Sequence, residues 1–141
     1  MAGTRERPRA SAYQTALSAG MDLMAAVPES VPLVVQPMQR VACPCGFAMA
    51  LPAGYEAQVR PRSGLALKHA ITIPNAPGTI DPGYRGELRV ILLNLGREPY
   101  TVHAGDRIAQ MILARYEAVE WLEGDLAESG RGTGGFGSSG R

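Results

Sequence analysis

The sequence carries almost no net charge and lacks any long apolar run. Lys and Arg number 14 against 13 Asp and Glu, so the formal net charge is +1 over 141 residues. A wide nucleic-acid footprint requires a large basic excess, and we therefore expect no nucleic-acid partner. No apolar run reaches the roughly 18 residues that a membrane-spanning helix needs, and the opening MAGTRERPRA has no apolar stretch typical of a secretory signal. We expect a cytoplasmic protein that does not associate with membranes.

Cysteine and histidine are also scarce. Cys43 and Cys45 stand one residue apart around a proline, a spacing poorly suited to an ordinary disulfide. A zinc site would need further Cys or His ligands, and the histidines of the chain are His69 and His103. We therefore expect two reduced thiols on a short strand or turn, as is usual in a reducing cytosol. No Ser-His-Asp pattern is evident, so covalent catalysis is not predicted.

Glycine and proline, by contrast, are plentiful and divide the chain into short apolar segments. The 17 Gly and 11 Pro separate runs rich in Val, Ile, Leu and Tyr, a spacing typical of an all-β sandwich or barrel. The runs cover residues 31–36, 47–51, 55–60, 70–73, 88–95, 100–103 and 107–114. One short helix is predicted at Ser63–His69, with Ser63 able to cap its N-terminus. The absence of βαβ alternation argues against a Rossmann or P-loop architecture.

The composition predicts one globular domain followed by an arm. Hydrophobic residues make up 45% of the chain and charged residues 19%, values typical of a folded domain. From about Gly124 the composition changes, and we predict a β-domain at residues 1–123 and a flexible arm at residues 124–141. The end of the arm, RGTGGFGSSGR, is either a disordered tail or a mobile lid. As a lid, its amides and Arg131 would meet phosphates while Phe136 stacks on a base.

The segment GTIDPGYRGELRVILLN, residues 78–94, holds the most suggestive polar side chains. Asp81 lies in a Gly/Pro-rich turn, Tyr84 follows three residues later, and a strand is predicted at about 87–95. A carboxylate held beside a ring and a rigid strand can position a water against a flat ligand. The alternative is an ordinary hairpin turn, because Asp, Pro and Gly favour turns for conformational reasons alone.

Two further segments place polar side chains near a glycine. PRSGLA sets Arg62, Ser63 and Gly64 at the predicted helix start, where free N–H groups attract anions. An ordinary helix cap explains the same residues without a ligand. AGMDL sets Asp22 between a glycine and an apolar strand, where it can hold a metal or finish a turn.

Two more segments carry polar groups on a strand or in a turn. GDRIAQMI has Arg107 and Gln110 as candidate inward polar groups, although Arg and Gln in a strand usually face solvent. NAPG reads as a turn, in which the Asn75 amide can both donate to and accept from a pyrimidine edge.

Taken in order, these segments resemble the motifs of the dUTP pyrophosphatase (dUTPase) family, in its trimeric bacterial form. The motifs are AGMDL, PRSGLA, NAPGTIDPGYRG, GDRIAQMI and RGTGGFGSSG, and they span residues 19–140. The resemblance implies a jelly-roll-like distorted β-barrel that assembles as a homotrimer with shared active sites. It implies Mg²⁺-dependent hydrolysis of dUTP to dUMP and pyrophosphate, which limits uracil in DNA and supplies dUMP for dTMP synthesis.

The resemblance also implies a role for each motif residue. Asp81 would activate the water that attacks the α-phosphate, Tyr84 would pack under the deoxyribose and exclude a ribose, and Asp22 would support the metal through water. Phosphate-side contacts are implied for Arg62, Ser63, Gly64, Gln110, Arg131, Gly137 and Ser138. Nucleoside-side contacts are implied for Asn75, Thr79, Ile80, Arg89 and Phe136.

Two other functions are considered beside this one. dCTP deaminase resembles the same fold and turn, but its catalytic Glu would fall at Ile91, which cannot transfer a proton. A non-catalytic nucleotide-binding regulatory trimer is the second alternative. The sequence departs from the family at ACPCG, where bacterial members more often carry a Pro-Thr-Gly turn. The resemblance predicts a surface turn at this point, outside the site.

Overall fold

The chain folds into short strands and one short helix. The structure is a computed structural model that describes residues 13–136. The strands are β1 (Met21–Met24), β2 (Leu33–Val35), β3 (Arg40–Pro44), β4 (Tyr55–Arg60), β5 (Ile71–Thr72), β6 (Gly78–Ile80), β7 (Arg89–Asn94), β8 (Tyr100–Val102) and β9 (Arg107–Arg115). The helix α1 covers Ser63–His69. No helix in residues 13–136 is long and apolar enough to cross a membrane.

The strands pair antiparallel in three sheets, in the orders β1-β9-β4-β6, β3-β7-β5 and β2-β8. Strands distant in sequence are neighbours in space, and β1 and β9 pair although almost the whole domain separates them. This arrangement confirms the predicted all-β, jelly-roll-like fold with one short helix.

The alternation of side chains along the strands builds the core. In β7 the side chains of Val90, Leu92 and Asn94 are buried while Arg89 and Ile91 face outward, as the two-residue repeat of a strand requires. Asn94 is the polar member of the inward row. Its amide donates to the carbonyls of Val35 at 2.9 Å and Glu98 at 2.8 Å, and its side-chain oxygen accepts the Gly96 N–H at 2.8 Å. Each of these buried polar atoms is thereby satisfied.

The predicted element bounds are right where local signals are strong. Helix α1 and strand β4 begin and end at the predicted residues. The apolar run at residues 47–51 does not form a strand; this segment is irregular, and its side chains Phe47, Met49 and Leu51 pack against the core. Conversely, β6 forms where the sequence predicts a turn, because it pairs with β4.

The segment after β9 has no helix or strand in residues 116–136. It exposes large apolar side chains, among them Val119, Trp121, Leu122 and Leu126. Regular structure thus ends at Arg115, before the predicted boundary at residue 123, and the division of the chain at that residue stays a prediction.

Candidate active site

An open groove of about 410 Å³ lies where β1 and β9 meet the start of α1. Three of the five sequence motifs contribute to its walls. It is lined by Gln14, Ser18, Ala19, Gly20, Asp22, Arg62, Ser63, Gly64, Arg107, Gln110 and Ile112. Two arginines face one carboxylate in this lining, so the groove carries positive charge and suits an anion.

Asp22 lies at the centre of the groove's charges. It is only 8% exposed, and its two oxygens face two different guanidinium groups. Oδ1 lies 3.2 Å from Nε of Arg62, and Oδ2 lies 3.3 Å from Nη1 of Arg107. Arg62 also donates from Nη1 to the Arg107 carbonyl at 2.9 Å. Since a buried carboxylate must be paired, Asp22 holds both arginines in place at the groove.

A β-bulge in β9 explains how Arg107 reaches this groove. Strict alternation would put Arg107 and Gln110, three residues apart, on opposite faces of the strand. The register steps from Leu23 opposite Ala109 to Met24 opposite Arg107, so Ile108 is the extra residue. Bulges re-aim side chains in this way, often beside active sites. Arg107 and Gln110 therefore both line the groove.

Gln110 is held by its own contacts. Its Nε2 donates to the Pro61 carbonyl at 2.9 Å, which ties β9 to the chain just before α1. A Cβ atom added to Gly20 would lie 2.9 Å from Oε1 of Gln110. The absence of a side chain at Gly20 thus makes room for the amide, a role that the sequence pattern does not reveal.

The start of α1 differs from the prediction in one respect. The prediction of Ser63 as the helix cap is wrong: Arg62 occupies the cap position with extended backbone, and no side chain caps the helix. Ser63 and Gly64 are the first helical residues, and both are exposed in the groove wall. The Ser63 hydroxyl therefore does not cap the helix, and Ser63 remains exposed in the groove wall.

Asp81 begins a tight turn immediately after β6. Its carbonyl accepts the Tyr84 N–H at 3.1 Å, so the prediction of a turn is confirmed. The turn does not close a β-hairpin, because β6 pairs with β4 whereas β7 pairs with β3 and β5. Arg85 braces the turn, because its Nη1 donates to the carbonyls of Pro82 and, at 2.8 Å, Tyr84. The Asp81 carboxylate is exposed, which leaves it accessible to a water and a ligand.

The ring of Tyr84 lies folded back over the chain that follows it. Its hydroxyl donates to the Glu87 carbonyl at 2.9 Å. A Cβ atom added to Gly86 would come within 2.5 Å of the Tyr84 hydroxyl oxygen. Gly86 is thus required for this ring position, although sequence reasoning assigned it no role.

The remaining nucleoside-side residues predicted from the sequence lie near the same turn, and together they form the turn segment, residues 75–89. Gly78 packs closely on Asn75, since a Cβ atom at Gly78 would lie 3.2 Å from the Asn75 amide nitrogen. Thr79 lies on β6 opposite Gln58 and is exposed, while the neighbouring Ile80 is half-buried against the core. On β7, Arg89 is exposed and pairs with Glu87 at 3.4 Å.

The groove and the turn segment are two separate parts in a single chain. None of Asn75, Thr79, Ile80, Asp81, Tyr84 or Arg89 lines the groove. Strand β6 belongs to the same sheet as β1 and β9 but forms its edge on the far side of β4, and Arg89 lies on β7 in a different sheet. The structure therefore brings Asp22, Arg62, Ser63, Gly64 and Gln110 together and leaves the residues of the turn segment apart from them.

The described part of the arm, residues 124–136, does not line the groove within one chain. Arg131 donates from Nε to the Gly134 carbonyl at 2.8 Å and does not line the groove. Phe136 is fully exposed. Gly137 and Ser138 lie outside the described residues.

The cysteine pair does not lie in a surface turn, and that prediction is wrong. Cys43 on β3 is 0% exposed and Cys45 is 3% exposed, and both belong to the core. They are free thiols, as expected. Burial raises the pKa of Cys43 to about 11 and that of Cys45 to about 12, so both are protonated near neutral pH. They are structural residues, and the site does not use them.

Comparison with known proteins identifies the family of the motifs. A family model described as dUTPase matches residues 8–140. The deoxyuridine 5'-triphosphate nucleotidohydrolase of Solibacter usitatus (strain Ellin6076) is 70% identical over 130 residues, which cover 92% of this chain and 86% of that protein.

Solved structures of phage dUTPases share the fold. A Staphylococcus bacteriophage 80alpha dUTPase mutant with dUpNHpp has a TM-score of 0.80 at 23% identity, covering 97% of this chain and 95% of that chain. A mutant dUTPase from phage phi11 of S. aureus, described with a structural Mg(II) ion, has a TM-score of 0.77 at 21% identity, with coverage of 89% and 95%. At these identities the likeness supports the fold and not the detailed chemistry.

Proposed function

We propose, from the premise that this chain belongs to the dUTPase family, that it hydrolyses dUTP to dUMP and pyrophosphate. The observation that carries the proposal is the groove in which Arg62 and Arg107 converge on the carboxylate of Asp22. A groove of this charge suits a phosphate chain, and the same sheet presents an exposed carboxylate, Asp81, in a braced turn.

The phosphate chain would bind in the groove. Arg62 would supply charge-assisted hydrogen bonds, and its pairing with Asp22 fixes its position before the ligand arrives. Ser63 and Gly64 would add a hydroxyl and a backbone amide from the exposed start of α1. Gln110 would contact the phosphates or the waters around them.

The nucleoside would bind at the turn segment. Asn75 would read the uracil edge, because an amide both donates and accepts. Thr79 and Ile80 would line the pocket, and Arg89 would contact the substrate from β7. Tyr84 would pack under the deoxyribose, where its ring leaves no room for the 2′-hydroxyl of UTP.

Asp81 would act as the general base. It would orient a water and take its proton as the water oxygen bonds to the α-phosphorus, and the bond from that phosphorus to the bridging oxygen breaks as pyrophosphate leaves. A positioned base typically contributes about 10²–10⁴-fold in rate. Exposure of the carboxylate at a rigid turn favours this role over a structural one.

Mg²⁺ fits the site as an ion that arrives with the substrate. Among residues 13–136, no three His, Cys, Asp or Glu side chains cluster as a metal site. Both oxygens of Asp22 already face arginines, so this residue would hold the ion through water. Such a site is usual for Mg²⁺, which keeps several waters and binds phosphates with few protein ligands. When bound, the ion would neutralise charge on the phosphate oxygens.

A homotrimer with shared active sites would bring the groove and the turn segment together. The segment after β9 leaves Val119, Trp121 and Leu122 exposed on a single chain. Large apolar side chains exposed together are typical of an interface. The turn segment of one subunit would then lie beside the groove of another.

The arm at residues 124–141 would close over the bound substrate. Arg131 would meet the γ-phosphate, Phe136 would cover the uracil, and Gly137 and Ser138 would cradle the phosphates. An exposed Phe136 and a glycine-rich chain suit a segment that orders on binding and excludes water from the reaction.

In a cytoplasmic setting this reaction would keep dUTP low, which limits uracil in DNA, and would supply dUMP for dTMP synthesis. The direct test is to incubate the protein with Mg²⁺ and, in turn, dUTP, dCTP, dTTP and UTP, and to assay both pyrophosphate and ammonia. We expect pyrophosphate from dUTP alone. Ammonia from dCTP would instead indicate a deaminase, which Ile91 argues against as an apolar residue on β7.

A substitution tests the general base separately. Asp81→Asn should lower kcat for dUTP by about 10²–10⁴-fold while the affinity for dUpNHpp is kept. Glu29→Gln is the control, since it neutralises an exposed carboxylate that lies outside the groove, the turn segment and the arm. Near-normal turnover in Asp81→Asn would show that another group takes the proton.

A further inference from the structure

We infer that Arg107 is a further substrate-binding residue, which contacts the phosphate chain beside Arg62. The inference rests on the proposed hydrolysis of a nucleoside triphosphate. Neither the motif resemblance nor the predicted site gave Arg107 a role.

Arg107 has hydrogen-bonding capacity that the protein does not use. A guanidinium group carries five N–H donors. Arg107 directs Nη1 to Oδ2 of Asp22 at 3.3 Å, and among residues 13–136 its side chain has no other acceptor. Its side chain is 49% exposed, whereas that of Arg62 is 27% exposed and contacts both Asp22 and the Arg107 carbonyl. Arg107 is therefore the more accessible of the two arginines.

The backbone is shaped to hold Arg107 at this place. Without the bulge at Ile108, Arg107 would point to the face opposite Gln110, away from the groove. The bulge turns it toward Asp22, which is nearly buried and fixes the guanidinium on the groove wall. A side chain fixed in this way loses less conformational freedom on binding than a free surface arginine.

The charge balance of the groove requires a second cation. Arg62 and Asp22 together are neutral, and with Arg107 the part of the groove lining that residues 13–136 provide carries a charge of +1. A triphosphate brings several negative charges, and without Arg107 the lining would offer no net positive charge to receive them. Arg107 thus supplies the charge that makes this groove selective for an anionic chain.

The first experiment compares ligands with and without phosphates. Arg107→Gln should weaken the affinity for dUpNHpp by roughly 10- to 100-fold, the range for a charge-assisted hydrogen-bonding group. The inhibition constant of deoxyuridine, which has no phosphate, should stay within about threefold of the parent value. Arg97→Gln removes the same charge from an exposed position outside the groove and should change neither. Unchanged dUpNHpp affinity in Arg107→Gln, or an equal loss for deoxyuridine, would overturn the inference.

A second experiment separates contact with phosphate from a role exerted only through Asp22. If Arg107 acts only through Asp22, its removal should cost nothing further in an Asp22→Asn background. Direct contact predicts that Arg107→Gln still weakens dUpNHpp binding by at least about fivefold in that background. Arg107→Lys keeps the charge and the fold and should bind with intermediate affinity.

The proposed function and this inference fail in distinguishable ways. A parent protein that neither binds dUpNHpp nor releases pyrophosphate from dUTP contradicts the proposed function itself. A parent protein that does both, with Arg107→Gln indistinguishable from it, contradicts the role of Arg107 alone.

Discussion

Replacing Gly86 by alanine should disturb the proposed sugar pocket without touching a catalytic group. The added Cβ atom would lie 2.5 Å from the hydroxyl oxygen of Tyr84, 2.7 Å from its Cζ and 3.0 Å from its Cε2. Gly86 is not among the glycines of residues 13–136 with positive φ, so the backbone itself accepts alanine. The substitution therefore acts on the ring of Tyr84.

The size of the effect follows from how far the ring must move. Ordinary carbon contacts begin near 3.5 Å, so the ring has to retreat by about 1 Å. This movement breaks the 2.9 Å bond from Tyr84 to the Glu87 carbonyl. Loss of the bond alone is worth roughly 0.5–1.5 kcal/mol, a factor of about 2 to 10. Misplacement by about 1 Å can cost up to about 100-fold in rate, which sets the upper limit.

The assay measures kcat/KM for dUTP and for UTP in parallel. We expect kcat/KM for dUTP to fall by roughly 3- to 100-fold in Gly86→Ala. The ratio of dUTP to UTP turnover should fall with it, because the displaced ring no longer fills the position of the 2′-hydroxyl. Gly83→Ala is the matched control, since a Cβ atom at Gly83 meets nothing within 4 Å. If Gly86→Ala keeps both the rate and the discrimination of the parent protein, the ring position of Tyr84 does not govern sugar choice.

Three further predictions concern stability and thiol chemistry. Ala70 ends α1 with φ 54°, a left-handed conformation that costs a non-glycine residue roughly 1–2 kcal/mol. We therefore expect Ala70→Gly to raise Tm by roughly 2–4 °C, after allowing for the greater freedom of glycine in the unfolded chain. An unchanged or lower Tm would contradict backbone strain at Ala70. Cys43 and Cys45 should react with a thiol reagent at pH 8 only after unfolding, and rapid labelling of the native protein would contradict their burial. Because folding raises their pKa from 9.0 to about 11 and about 12, they bind protons more tightly when folded, and the free energy of unfolding should fall as pH rises above about 9.

Local sequence signals predicted the elements whose limits are set locally. Strand β4 alternates between Gly54 and Pro61, and α1 follows directly from a proline, so their bounds can be read from a few neighbouring residues. The motif residues of the groove, by contrast, lie together because β1 pairs with β9 beside the start of α1. The bounds of β4 and α1 therefore require no knowledge of distant pairing, whereas the assembly of the groove does.

Features that depend on pairing between distant segments could not be predicted in the same way. Strand β6 is a strand because β4 pairs with it, although its own sequence reads as a turn. The same limit applies to Cys43 and Cys45. Their sequence predicts a short strand or turn, and only the pairing of β3 with β7 over the core buries them. Gly and Pro report local conformational freedom, and they do not report which side of a sheet a segment will face.

Arg107 shows why this limit matters most at the site. Strict period-two alternation puts Arg107 and Gln110 on opposite faces, so it does not by itself support the prediction of both as inward polar groups. The bulge that reverses this result exists only in the pairing of β9 with β1, two strands from opposite ends of the domain. The single carboxylate between two arginines is likewise a product of that pairing, since Asp22, Arg62 and Arg107 come from three distant segments. The chemistry of the groove is therefore encoded in motif composition, but its charge balance is set by one irregularity in strand register.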